Sequence, residues 1–168
     1  MNLNSKFRLV LIAFGAFILA APHTTFAAPP ANPCSLLTSA QVSAALGVPV
    51  GAGKQEGQLD CEWDQPGWTM VRGVRLLLHI LGPVGSLTPA QRFNTIKMPL
   101  PVKGITKTPL SGVGDDAVYV IRGASAPELT VKKGNSVFQI RVQGFPRNQT
   151  NQIKAKEKTL ALNVLAKL

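Results

Sequence analysis

Cysteine, histidine, tyrosine and acidic side chains are all scarce in this 168-residue chain: two Cys, two His, one Tyr and 8 Asp+Glu against 18 Lys+Arg. Two cysteines are too few for a thiolate zinc site or a disulfide scaffold, so metal chemistry built on thiolates is excluded at the outset. Histidine is scarcer still where it could act, because His23 lies in the apolar N-terminal segment and leaves His79 alone in the body of the chain. The charged fraction is only 15% and the hydrophobic set 45%, which is too apolar for a disordered basic tail. A length of 168 residues suits one ordinary domain with a buried core. No metal ligand set, cofactor motif or catalytic constellation is predicted.

What the sequence does contain is a strong address. Residues 1–27 read as a secretory signal: Lys6 and Arg8 form the positive segment, Leu9 to Ala21 is the apolar run, and Thr25-Phe26-Ala27 fits a small-x-small cleavage site. The apolar run is short against the roughly 20 residues needed to cross a bilayer. No later stretch is long and apolar enough to span, so no transmembrane segment is expected after cleavage. Residues 28–33 form a Pro/Ala linker and residues 34–168 a single domain. Discarding Lys6 and Arg8 leaves 16 basic against 8 acidic side chains, about +8. Export to a periplasmic or extracellular location also oxidises the thiols, and a single pair allows one intramolecular connectivity, Cys34–Cys61.

Along the domain, Thr38-x-x-Gln41 is a capping box opening a helix Ser39 to Leu46, and Thr88-Pro89-x-Gln91 opens another over Pro89 to Lys97. Leu59, Cys61 and Trp63 alternate with Asp60, Glu62 and Asp64, the period of a half-buried strand. The run Trp68 to Leu81 is predicted as its hairpin partner, with Asp64 opposite Thr69, Glu62 opposite Val71, Asp60 opposite Gly73 and a four-residue loop. Met98 to Asp116, rich in Pro and Gly, is expected to be a long connection. Three strands follow as a meander, Ala117 to Arg122, Glu128 to Lys132 and Ser136 to Val142. From Thr150, Ile153, Leu160, Val164 and Leu168 recur at helical spacing. The predicted order is α-β-β-α-β-β-β-α, with room for an extra strand near Val48 to Lys54. An antiparallel sheet with packed helices, an α+β fold, satisfies it.

Several motifs together resemble a known family: Pro33-Cys34-Ser35-Leu36-Leu37-Thr38, Val42 with Ala45-Leu46-Gly47, Cys61-x-Trp63, Gly112-x-Gly114-Asp115-x-Ala117 and Leu129-x-Val131-x-Lys133-Gly134. The chain looks like the secreted and lipid-anchored bacterial proteins similar to the extracellular sensor domain of a mycobacterial Ser/Thr kinase. That resemblance implies an α+β fold with a helix tied by a disulfide to the first hairpin. It brings no catalytic residues, and this chain lacks the lipobox.

Two polar constellations remain as candidate sites. The row Asp60, Glu62 and Asp64, with Arg75 and His79 on the neighbouring strand, forms a candidate polar site, although the same acidic row would also suit an exposed sheet edge. His79 with Asp60, Asp64, Asp115 or Asp116 would be the only start of a hydrolase relay, and no Gly-x-Ser-x-Gly elbow accompanies it. Gly51-Ala52-Gly53-Lys54 fails as a phosphate loop, since Gln55 replaces the required Ser or Thr. Lys132, Lys133, Arg141, Arg147, Lys154 and Lys158 make the final third basic, a candidate surface for an anionic envelope component or an acidic protein. Aromatics are only 6% of the chain and give no stacking row among the cations, which argues against nucleic acid. The expected function is therefore an exported, non-catalytic binding or sensor-type module of the bacterial cell envelope. A secreted inhibitor or immunity-type protein is the alternative, and a hydrolase the third reading.

Overall fold

A computed structural model describes residues 32–168. The predicted signal segment 1–27 and all but the end of the 28–33 linker lie outside the described residues. A 3₁₀ turn, Pro33–Leu36, leads into helix α1, Ser39–Leu46, and both are anchored by side-chain caps on Asn32 and Thr38. Strands β1 (Lys54–Glu56), β2 (Asp60–Asp64) and β3 (Arg75–Ile80) follow, then helix α2 (Pro89–Lys97). Strands β4 (Ile105–Leu110), β5 (Asp116–Arg122), β6 (Glu128–Lys133) and β7 (Ser136–Gln143) precede helix α3 (Thr150–Leu165). All seven strands join one antiparallel sheet in the order β1-β2-β3-β7-β6-β5-β4.

The two faces of the sheet are covered unequally. On one face α1, α3 and the 3₁₀ turn bury the main core, in which Trp63, Leu78, Phe138, Ile140 and Leu160 are among the fully enclosed side chains. The Cys34–Cys61 disulfide lies on this side and ties the 3₁₀ turn to β2. On the other face α2 is the one helix that packs among the described residues, seating Phe93 against Leu81, Val118, Val120 and Val137. The remainder of that second face carries the polar halves of β2, β3, β6 and β7.

The α+β antiparallel class and the disulfide agree with the sequence reading, but the order does not. One strand was missing from it and a second was only allowed for. Met98 to Asp116 is not one long connection, because β4 forms within it and pairs with β5 from Ile105↔Arg122 to Leu110↔Ala117. Its Pro109 is tolerated because β4 is an edge strand, where one side of the backbone needs no ladder partner. The extra strand is β1, placed at Lys54–Glu56 at the end of the suggested stretch. β1 is the edge on that side, so the acidic row of β2 is not an edge row.

The hairpin register is also corrected. Asp64 lies opposite Arg75, Glu62 opposite Leu77 and Asp60 opposite His79, with residues 65–74 as the loop. Gly73 turns the chain at φ 89°, and Gln65 closes the loop twice, through its N–H to Val74 O and its Oε1 from Val74 N–H. The shift along the second strand is six residues, an even number, so each side chain keeps the face its alternation requires. Met70, inside the run predicted as the partner strand, consequently lies in the loop and is exposed. Leu168 likewise lies beyond the end of α3, while Ile153, Leu160 and Val164 are buried as a stripe.

Candidate functional site

The observed register concentrates charge on the open sheet face. Arg75 donates from Nε to Asp64 Oδ1 at 2.6 Å and from Nη2 to Oδ2 at 3.1 Å, while its Nη1 lies 3.0 Å from Glu62 Oε2. The Trp68 ring stacks on the same guanidinium at 3.4 Å, so one arginine is held by two carboxylates and an aromatic plane. The Asp64 hydrogen bond and neighbouring carboxylates raise the pKa of Arg75. Burial raises that of Glu62, an effect that the Arg75 charge opposes. Next to this group His79 Nδ1 lies 2.7 Å from Asp60 Oδ1. The five residues Asp60, Glu62, Asp64, Arg75 and His79 are thus neighbours on β2 and β3.

A second cluster occupies the centre of the same face. Glu128 is 4% exposed and accepts from Arg122 at 3.1 Å, from Gln139 at 3.1 Å and from Arg141. Gln139 also donates to Thr130 Oγ1 at 3.2 Å. Three donors on a nearly buried carboxylate satisfy it, as burial of a charge demands. Sequence reasoning assigned Glu128 no role, since a lone glutamate at a strand start carries no signal until β5 and β7 deliver their arginines.

The basic residues of the last third do not form one patch. Lys132 and Arg141 lie on the open face, Arg141 already paired with Glu128. Lys133 pairs with Asp115 at 3.4 Å, whose carboxyl is held below its usual range mainly by the Gly134 N–H and then by Lys133. Lys154 rests over the Tyr119 ring on the opposite face, and Lys158 is exposed on α3. Arg147 lies beside the end of β7, remote in chain and place from Lys133. Lys156, in the same third, is turned inward, and its Nζ donates to Ala45 O and Leu46 O at the C-terminus of α1.

Concave surface occurs in several places among the described residues, and three of them bear on the sheet faces. A cleft of about 730 Å³ opens where residues 68–73 overhang the open face, walled by Glu62, Trp68, Arg75, Leu77, Gln143 and Phe145. Gly144 makes this overhang possible, since its φ is 93° and a Cβ there would collide with Gly73 O. A pocket of about 300 Å³ lies under residues 83–89 against Ile80, Val137, Phe138 and Leu168. A third, of about 570 Å³, lies between the end of α2 and β4. Neither of the last two contains a residue of the charged clusters.

The chemistry open to this arrangement is recognition of polar groups. An imidazole held at Nδ1 by a carboxylate has the orientation a general base needs. Asp60 is its one hydrogen-bond partner among the described residues, and the other carboxylates of β2 are engaged by Arg75. Among the described residues no group of three or more His, Cys, Asp or Glu comes together to hold a metal ion, and no helix is long and apolar enough to cross a membrane. Comparison of the chain with protein-family models, with curated proteins and with solved structures finds no match.

Proposed function

We propose that the chain is an exported, non-catalytic binding or sensor-type module of the bacterial cell envelope, which engages its partner across the open sheet face and the overhanging cleft. One observation carries the reading: a single face of the sheet is left partly uncovered, and there a tryptophan, an arginine and two carboxylates are fixed in place around a cleft of about 730 Å³. Fixed, mutually paired charges suit recognition, because their geometry is set before the partner arrives. The motif resemblance over residues 33–168 to the kinase sensor-domain family points the same way.

The test is capture of a component from envelope extract by the immobilised, processed protein. Leu77→Glu and Gln143→Glu, at the cleft floor and wall, should each reduce capture at least tenfold, whereas His79→Ala should leave it unchanged. Capture that survives both cleft substitutions overturns the proposal, and turnover of a captured molecule that depends on His79 replaces it with the hydrolase reading.

A further inference from the structure

The loop between β2 and β3 ends in a narrow turn whose chemistry is unusual. Thr69 N–H donates to Arg72 O at 2.8 Å and Arg72 N–H returns the bond to Thr69 O at 3.1 Å, so Met70 and Val71 are the two residues at the tip. Turn tips normally carry Gly, Asn, Asp, Pro or Ser. Here the tip is apolar, and Met70 is 94% and Val71 96% exposed. The pair contributes nothing to the core and is held outward by a closed hydrogen-bond pair below it.

The end of the sheet that carries the tip is positive. Antiparallel pairing puts the loops after β2, β5 and β7 and the segment entering β4 at one end of the sheet. The carboxylates at this end, Glu62, Asp64 and Glu128, are each paired with arginine. Arg72 at the tip, Arg147 beyond β7 and Lys103 before β4 make no ion pair among the described residues. The end therefore presents two outstretched apolar side chains on the β2–β3 side and, across its width to the edge strand β4, cations whose charge is not cancelled by an ion pair among the described residues.

We infer that this end of the domain is a membrane-contact surface, the Met70–Val71 tip entering the acyl boundary of an anionic phospholipid bilayer while Arg72, Arg147 and Lys103 meet its headgroups. The inference rests on the envelope location proposed above and names a partner that reading leaves open. A protein partner fits less well, since a stable interface buries about 800 Å² on each side around a broad apolar centre. A two-residue tip on one turn is too narrow for that, whereas a fluid bilayer closes around it. The cations add electrostatic attraction that depends on salt and on anionic lipid.

The experiment is flotation of the exported, processed protein with vesicles of phosphatidylglycerol and phosphatidylcholine in equal parts, and with phosphatidylcholine alone. Expected are binding to the anionic vesicles, weakening with added salt, and little binding to the neutral ones. Met70→Ser with Val71→Ser should lower the vesicle partition by roughly tenfold or more, from the loss of buried apolar area. Arg72→Gln with Arg147→Gln should lower it by about fivefold per charge. Both substitutions are at exposed positions, and an unchanged melting temperature verifies that each variant is folded. Equal partition of parent and tip variant overturns the inference, as does failure of the parent to float with either vesicle. Capture of an envelope component in lipid-free extract is measured separately, so loss of the lipid surface leaves the binding-module reading standing on its own result.

Discussion

Glu157 sits in the apolar stripe of α3, between Ile153 and Leu160, and is fully buried. Its Oε1 accepts from Val142 N–H at 3.1 Å, and its Oε2 has no partner among the described residues. Burial pushes its pKa up to about 9 from 4.5; the Val142 N–H, Arg141 and Lys154 lower it, and Glu128 adds to the rise. At neutral pH the carboxyl is therefore a neutral acid in the folded state and a carboxylate in the unfolded one. Below pH 4.5 both states are protonated and the group is neutral to stability. From there to about pH 9 the folded state binds the extra proton, so stability falls by about 1.4 kcal/mol per pH unit. At pH 7 the accumulated loss is about 3 kcal/mol, and in a domain of this size that is on the order of 10 °C in melting temperature. Glu157→Gln keeps an acceptor for Val142 and cannot ionise. Thermal unfolding followed by circular dichroism from pH 5 to 8.5 should show parent and variant close together at pH 5 and diverging steadily above it, the variant more stable. Parallel curves across that range would refute a buried, protonated Glu157.

Replacing both cysteines, Cys34→Ser with Cys61→Ser, opens a loop with a sequence separation of 27 and should lower stability by about 3 to 4 kcal/mol in the chain-entropy model, read by urea denaturation. Lys156→Met removes the charged donor to Ala45 O and Leu46 O and should cost about 1 to 2 kcal/mol in the same assay, with the side chain's apolar packing kept. Glu128→Ala leaves Arg122 and Arg141 without their shared acceptor and should destabilise by about 1 to 2 kcal/mol, since both guanidinium groups are half exposed and regain water. Gly144→Ala drives a Cβ into Gly73 O and should cost about 3 kcal/mol, with Trp68 fluorescence reporting whether the overhang has moved.

Where local chemistry decides, the sequence was readable. The capping boxes at Thr38 and Thr88 and the proline at Pro89 define their helices almost to the residue, because each satisfies orphan N–H groups with side chains a few positions away. The meander strands were equally legible as short runs bounded by turn residues, with β7 alternating as well. β4 was not, because an edge strand buries little: Ile105, Lys107 and Leu110 are half-covered and the rest exposed, so no period of two survives in its composition. The β2–β3 register failed for another reason. Trp68, Met70 and Val74 continue the alternation of β3 backwards, interrupted only at Arg72, while the Gln65–Val74 hydrogen bonds and the fit of the Arg75 guanidinium between Asp64 and Glu62 favour the longer loop. Alternation placed Asp60, Glu62 and Asp64 on one face with His79 and Arg75, yet it could not say which of them touch. Glu157 was in plain view at a stripe position, where a glutamate reads as a helix-surface residue until the sheet closes over it.

The net charge of +10 has a structural distribution that the count alone conceals. Of the eight carboxylates, Asp60, Glu62, Asp64, Asp115, Asp116 and Glu128 have a cationic or histidine partner, and Glu157 is neutral at pH 7. Several cations are likewise spent internally: Arg92 on Gly82 O, Lys107 on Met98 O, Lys156 on α1 and Lys167 on Ser35 O. A hydrogen bond to a carbonyl does not cancel charge, but it fixes where the charge sits, and these four are distributed around the fold. Arg72, Lys103 and Arg147 differ in having neither kind of partner among the described residues, and all three lie at the end of the sheet that carries the Met70–Val71 tip. A long-range field falls off within about 8 to 10 Å at physiological salt, so the local arrangement matters more than the total. Neutralising Lys158, on the exposed side of α3, should therefore leave vesicle partition nearly unchanged although it removes the same unit of charge as Arg72→Gln. Equal losses from the two substitutions would mean that the whole protein's charge, and not this end of the sheet, drives attraction to an anionic surface.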